Sequence, residues 1–354
     1  MRKADSDSKK IERVEQLIDQ QQLSRDLREA VGDLSSVNPW AGILRFMSLG
    51  SATICLTLLT WHTSQIGWFL FGAIATSIVY AFWLICNHDA THRTLTGWNW
   101  FDTLMPRLIS WPMLLPIGTY NQLHQLHHGR NGINLQDPER VQWTEQEYQS
   151  AQPWQRWYVR HQWIVDIFVL GSIGLIFKTL AHSLKLQGNL HPSSQQLRQQ
   201  TIVDACGILS IQAVLISLLK FQHASFGKYL LFLFILERGI GVLLQTRDHI
   251  EHYGLWQAAG NHQLTQLYAC RNVNTFAWMN WLMGGLPYHS IHHAFPQIAS
   301  NRLPIAFQRV KAVLDCHSLP PMTVGSGYIA TAIELSRRPC LIREGNAVIP
   351  AQLP

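Results

Sequence analysis

The chain has 354 residues, of which 47% are hydrophobic and only 14% charged, with a formal net charge of +6. Soluble proteins carry nearer ~25% charged residues, so this balance excludes an ordinary soluble enzyme and points to a membrane protein. The positive charge is spread over many loops and never gathers into a basic run with interleaved aromatics, which fits headgroup contact and argues against nucleic acid as a partner.

Residues 1–38 are polar, with seven Lys/Arg against eight Asp/Glu, and contain no apolar core of the kind a secretory signal needs. Within them, Ile11 to Val31 reads as a short amphipathic helix on the cytoplasmic surface. Ala41–Trp61 and Ile66–Cys86 follow, each of about 20 residues, the length of a span. Only His62, Thr63, Ser64 and Gln65 separate them, so they predict a transmembrane hairpin. That link carries no Lys or Arg, whereas Arg93, Arg107, Arg130, Arg140, Arg156 and Arg160 come after it, which places the tip away from the cytoplasm. Trp98, Trp100, Trp111, Trp143, Trp154, Trp157 and Trp163 crowd the same region as interfacial anchors would.

Three histidine boxes carry the chemistry. Box one, His88 and His92 at i and i+4, continues the second span. Box two is His124, His127 and His128, with Thr119 or Asn121 as a candidate cap and Gly129 suited to the position past the helix end. Box three is His289, His292 and His293, framed by Pro287 and Pro296. On a helix, i, i+3 and i+4 put three imidazoles on one face within a turn, which is half a metal site. With 17 His in the chain, a given HxxHH is expected by chance about 0.04 times, so two copies are a designed feature.

Between boxes two and three lie the apolar stretches Trp163–Leu180, Ile202–Leu219 and Phe226–Thr246. The boxes can share a site only if the chain crosses the bilayer an even number of times between them. Asp166 and Lys178 mark Trp163–Leu180 as the stretch that lies in the interface or dips in and returns. Glu237 and Arg238 sit inside the last stretch, where each costs roughly 2.5–3.5 kcal/mol at the bilayer centre. They are expected to face the protein interior near the metal end, either as a structural ion pair or in a catalytic role. Just past this stretch, Arg247-Asp248-His249-Ile250-Glu251-His252 mirrors box one, making His252, or alternatively His249, a ninth ligand. Asp248, and His249 where it is not itself a ligand, are candidates to orient an imidazole or bind a metal-bound water.

Nine imidazoles suit two metals of four to five ligands each, and their spacing leaves iron, zinc and manganese open. His62, His161, His182, His191, His223, His262 and His317 stand outside the boxes and read as hydrogen-bonded core or interfacial residues. Cysteines 55, 86, 206, 270, 316 and 340 lie far apart without a CxxC, which argues against a disulfide framework or a cysteine-ligated cluster and leaves reduced structural thiols. The fold predicted is an all-α, multi-pass integral membrane protein. It comprises two transmembrane helical hairpins, about four spans, and a cytoplasmic helical cap from residues 88–200 and 247–354 that holds the metal site. Residues 1–38 form a polar cytoplasmic segment, 39–320 the membrane-bound domain, and 321–354 an irregular tail marked by Pro321, Pro339 and Pro350.

The order HxxxH, HxxHH, HxxHH, with the last box running into Ala294-Phe295-Pro296, resembles the membrane-bound fatty acid desaturase superfamily over roughly residues 40–315. Ile250-Glu251-His252-Tyr253-Gly254-Leu255 is similar to the stretch that supplies the ninth histidine of alkane hydroxylases, with Asp248 departing from their usual Asn. Asp137-Pro138-Glu139 is similar to segments of desaturases and carotenoid ketolases. The resemblance implies two iron ions (Fe2+/Fe3+) at His88, His92, His124, His127, His128, His252, His289, His292 and His293, and no catalytic residues beyond these ligands. It further implies O2, a lipid or fatty-acyl substrate from the bilayer, and an external electron donor such as a ferredoxin or cytochrome b5. The activity expected is O2-dependent desaturation of a fatty acyl chain, with hydroxylation, ketolation or oxidative decarboxylation as the alternatives at the same site. A non-catalytic membrane transporter or metal carrier using the histidines as a relay is the non-enzymatic reading.

Overall fold

The computed structural model describes residues 20–187, 192–221, 225–343 and 348–350. His191, His223 and the first part of the helix predicted from Ile11 lie outside these residues. Residues 20–31 form helix α1. Its Leu23, Leu27 and Val31, four apart, are buried with Leu34 against Ile291, Leu303 and Leu314, so one apolar stripe docks this segment onto the cap.

Helices α2 (Pro39–His62) and α3 (Ile66–Thr91) make the first hairpin, and α3 runs on past its apolar stretch to carry His88. Helices α4 (Asn99–Ser110), α5 (Ile117–Arg130), α6 (Glu145–Ser150) and α7 (Pro153–Ile164) follow. A π-helical turn, Val165–Leu170, leads into α8 (Gly171–Gln187), then α9 (Pro192–Phe221) and α10 (Phe226–His252). At the start of α10, Lys228 Nζ donates to the carbonyls of Trp61 (2.6 Å) and Thr63 (3.0 Å) at the hairpin tip. Helix α10 therefore runs alongside α3 in the same direction, and both bring histidines to the same end.

Among the described residues, five helical segments are long and apolar enough to cross a membrane: Pro39–His62, Ile66–Thr91, Pro153–Gln187, Ser194–Phe221 and Phe226–His252. Trp68, Phe71, Leu209 and Phe221 on these segments are mostly exposed, an arrangement that suits lipid and would be a liability in water. The third segment is not straight. Gly171 takes φ +55°, which breaks the helix, and an added Cβ there would meet the Arg238 guanidinium at 2.8 Å. Contacts with α10 descend from Asp166 on His249 to the Phe168–Leu170 carbonyls on Arg238. The returning helix packs back along α10 through the Ser172 hydroxyl on the Glu237 carbonyl and Gln245 on the Gly171 carbonyl, and further on its Lys178 Nζ donates to the Glu139 carbonyl beside the histidines.

Glu237 and Arg238 are what this break requires. Arg238 pairs with Glu237 and donates to the carbonyls of Val169 and Leu170, the orphan acceptors where the descending helix ends. Glu237 Oε1 accepts from the backbone N–H of Ile173 at 2.8 Å, an orphan donor of the returning helix. In a lipid layer those backbone groups have no water to turn to. The pair faces the interior as expected but lies about 20 Å along the helix from His252, far from the metal end, because it serves backbone ends and not the site.

The cap continues with α11 (His262–Ala269), β1 (Asn272–Val273), α12 (Ala277–Leu282), α13 (His289–Ala294) and α14 (Leu303–Cys316). The tail expected to be irregular is ordered over its described part. It contains β2 (Val324–Gly325), parallel to β1, helix α15 (Tyr328–Ser336), and β3 (Cys340–Ile342) antiparallel to β4 (Val348–Pro350). Its apolar runs are too short to stand out between prolines, and tertiary packing of Tyr328, Ala332 and Leu335 on Ile250 and Tyr253 holds them.

Candidate metal centre

The box-two helix is held by a residue from far along the chain. Asp204 of α9, fully buried, accepts from the N–H groups of Gly118 (3.2 Å) and Thr119 (2.7 Å) and from the Thr119 hydroxyl (2.9 Å). A carboxylate at a helix N-terminus satisfies orphan donors and the helix dipole together. Asp204 thus does what was expected of Thr119 or Asn121. Gly129 lies inside the helix, which ends at Arg130. Box three is a 3-10 turn, Leu286–Tyr288, followed by α13, which stops at Ala294 two residues before Pro296.

The nine predicted histidines converge at the cap end of α3 and α10 and sort into two adjoining clusters. In the first, ligand atoms of His88, His92, His124, His128 and His292 all lie within 4.8 Å of one another. In the second, the same holds for His252, His289, His293 and Cys270, and His127 joins through its Nε2, 3.3 Å from Nε2 of His252. The imidazoles of His128 and His293, stacked at 4.0 Å, link the clusters. Each HxxHH turn therefore serves both clusters, where the spacing had suggested a single face. At 100° per residue, i+4 lies 40° from i and i+3 lies 60° away on the other side. The nearer pair shares a cluster, His124 with His128 and His289 with His293, while His127 and His292 each turn to the other one.

The donor set fits metal ions. Nε2 of His128 stands 3.1 Å from Nε2 of His124 and 3.2 Å from that of His292, and Nε2 of His252 stands 2.9 Å from that of His289. Two nitrogens bound at ~2.1 Å to one ion at right angles stand about 3.0 Å apart. Nε2 of His88, His92 and His293 is buried without a hydrogen-bond partner among the described residues, a costly state unless an ion takes the lone pair. Burial, reinforced by neighbouring imidazoles, keeps His92, His128, His289, His292 and His293 well below the usual histidine range, hence neutral and able to ligate. His127 is the exception. Burial resists its charge, but Asp137 and Glu139 outweigh burial and push it up to about 9.

Outer partners fix the rings, and here sequence reasoning missed most of the residues. His124 Nδ1 meets Glu139 at 2.9 Å, and His127 Nδ1 meets both oxygens of Asp137 at 2.9 Å. In the sequence, the Asp137-Pro138-Glu139 segment stands out only as a resemblance. Glu251 lies 3.3 Å from His289 Nδ1, and Gln266 Oε1 lies 3.1 Å from His293 Nδ1. The acid-Pro-acid turn close after box two was a usable signal, whereas Gln266 and Cys270 left none. His249 turns away from both clusters, its Nε2 on Asp166 at 3.0 Å and its Nδ1 on the Gln245 carbonyl at 2.9 Å. It orients no ligand because it braces the broken helix. Asp248 is buried and faces a cavity beside His88 and Arg247.

That cavity encloses about 930 Å³ of empty space including its mouth, between α3, α5, α8 and α10. His88, Tyr120, Glu139 and Asp248 line it, and so do Leu84, Ile117, Leu175, Ile176 and Leu244. Leu84 and Leu244 each lie one helical turn before His88 and Asp248, so the cavity passes from the metal level toward the membrane level as it becomes apolar.

Comparison with known proteins agrees with this architecture. The family model for fatty acid desaturase matches residues 66–324. The sn-1 oleoyl-lipid 12-desaturase of Picosynechococcus sp. is 21% identical over 295 residues, covering 80% of this chain and 80% of that protein. The Delta(8)-fatty-acid desaturase of Euglena gracilis is 22% identical over 287 residues, covering 74% of this chain and 61% of that protein. The Delta 8-(E)-sphingolipid desaturase of Lachancea kluyveri is 19% identical over 308 residues, covering 78% of this chain and 52% of that protein.

Proposed function

The chain belongs to the fatty acid desaturase family, and from that premise we propose that it is an O2-dependent desaturase that introduces a C=C bond into the acyl chain of a membrane lipid. The single observation that carries this reading is the pair of adjoining imidazole clusters beside a cavity that turns apolar toward the membrane. An acyl-lipid is the substrate favoured because the relative matched over 80% of its own length is named for an oleoyl-lipid. The balanced reaction takes O2, two electrons and two protons, removes one hydrogen from each of two neighbouring methylenes, and yields two waters. A ferredoxin or cytochrome b5 is the electron donor proposed.

The residues proposed as ligands are His88, His92, His124, His128 and His292 for one iron ion and His127, His252, His289 and His293 for the other. When bound, these ions supply O2 reduction and hydrogen removal from an unactivated methylene. Glu139, Asp137, Glu251 and Gln266 hold the ligand rings in place. Leu84, Ile176 and Leu244 hold the chain and keep water from it. The return of the chain at Gly171 supports four crossings, which leaves all nine histidines on one side of the bilayer, the cytoplasmic one by the distribution of arginine.

Metal analysis of purified protein is expected to find about two iron ions per chain, reduced in His292→Ala. Iron at background level would refute the reading. Product analysis under ¹⁸O₂ tests the reaction type: a double bond without label is expected, and label retained in the product would assign hydroxylation or ketolation instead.

A further inference from the structure

Three of the nine histidines hydrogen-bond an oxygen through their outer ring nitrogen, His124 with Glu139, His127 with Asp137 and His293 with Gln266, while Nδ1 of His289 and of His88 lie 3.3 and 3.7 Å from Glu251 and Asp89. His252 differs. Its Nδ1 meets the sulfur of Cys270 at 3.9 Å, a distance suited to a hydrogen bond to sulfur. That sulfur also accepts from Asn131 Nδ2 at 3.1 Å. Asn131 Nδ2 donates in addition to Gln266 Oε1 at 3.1 Å, and Gln266 Nε2 donates back to the Asn131 carbonyl at 2.9 Å. Gln266 and Cys270, four residues apart, point the same way from α11 and its end, while Asn131 ends the box-two helix. All three side chains are buried.

We propose that Asn131, Gln266 and Cys270 form one positioning network for the second cluster, in which the Cys270 sulfur accepts from His252 and is not itself a metal ligand. The inference rests on the two-ion reading above. The sulfur touches His252 on Nδ1, whereas Nε2 of the same ring faces His127 and His289 at 3.3 and 2.9 Å. Although the sulfur lies within 4.8 Å of donor atoms of His252, His289 and His293, an ion held by the three Nε2 atoms would sit on the opposite side of the His252 ring from it. Gln266 Oε1 can only accept, so His293 carries its proton on Nδ1, and His252, whose Nε2 faces His127 and His289, carries its proton on Nδ1 toward the sulfur; both then offer Nε2 to the ion. One network thus sets the tautomers of two ligands and ties the helices of boxes two and three together. The second cluster offers four imidazoles against the first cluster's five, so its ion is expected to be the more loosely held of the two.

The test is anaerobic cobalt(II) titration of the full-length protein in detergent against a competing chelator, with absorption recorded. Wild type is expected to bind two ions without a thiolate-to-cobalt charge-transfer band, the second more weakly. Cys270→Ala is expected to weaken that second ion about 10- to 100-fold and leave the first unchanged, with Cys270→Ser recovering most of the loss. Gln266→Leu, which spares the cysteine, is expected to weaken the same ion and serves if Cys270→Ala does not fold. A charge-transfer band in wild type that Cys270→Ala abolishes would make the cysteine a ligand and overturn the proposal. Unchanged affinity at both sites in Cys270→Ala and Gln266→Leu would overturn it as well. Fewer than two ions in wild type would instead remove the two-ion reading, and this inference with it.

Discussion

Arg238→Met tests whether the Glu237–Arg238 pair exists to close the break at Gly171. The substitution keeps a long apolar stem but removes every donor of the guanidinium. The carbonyls of Val169 and Leu170 lose their partner, at about 1–3 kcal/mol for each that stays dry. The Glu237 carboxylate, on a side chain 10% exposed, is left with the Ile173 N–H alone, and an unpaired buried charge costs about 3–5 kcal/mol. Because the Arg238 side chain is itself 23% exposed, solvent recovers part of this, and a total near 4–5 kcal/mol is expected. Glu237→Gln/Arg238→Met removes the stranded charge while keeping an acceptor for Ile173, so it should cost only about 2–3 kcal/mol, less than Arg238→Met alone. Reversible unfolding in mixed micelles measures all of the variants. Arg238→Met within about 1 kcal/mol of wild type, or a double variant as damaged as the sum of its singles, would refute the assignment.

The remaining predictions concern the site. Asp137→Asn should lower affinity for the ion at the His127 cluster, and Glu139→Gln for the ion at the His124 cluster, each about 10- to 100-fold by chelator competition; the opposite assignment would reverse the cluster memberships. His249→Phe should keep both ions yet lose about 1–3 kcal/mol of stability, because Asp166 is left with only the Tyr158 hydroxyl; loss of an ion would restore His249 as a ligand. Leu244→Trp should shorten the cavity by three or four methylenes at ~0.8 kcal/mol each, lowering kcat/KM for long acyl chains about a hundredfold and sparing short ones. An unchanged chain-length profile would separate that cavity from the substrate.

Histidine was legible in the sequence because a helix converts spacing into direction, so His124, His127 and His128 had to share one turn. The carboxylates that aim them were less so, since Asp137 and Glu139 come from a turn with no period to read. Asp204 and Gln266 were invisible for a stronger reason: their partners lie 85 and 135 residues away, and only the folded chain brings them together. The break at Gly171 hid inside a continuous apolar run. Asp166 and Lys178 betrayed that the run was unusual, and Glu237 and Arg238 marked what it leans on, but neither pair named the other.

The split of each HxxHH turn explains why that spacing occurs twice and the simpler HxxxH once. Helix α3 ends beside one cluster only, so His88 and His92, 40° apart, both serve it. Helices α5 and α13 lie between the clusters, where a pair alone would leave the neighbouring cluster short of a nitrogen. Box two gives two nitrogens to the first cluster and one to the second, and box three does the reverse. Two identical turns facing each other in opposite senses thus contribute three nitrogens to each cluster. The remaining histidines are asymmetric, two from the end of α3 and one from α10, which leaves five in one cluster and four in the other. Cys270 stands on the poorer side. Its place behind His252 makes good the orientation of a ring that, alone among the histidines of its cluster, has no neighbouring box histidine on its own helix to share the task.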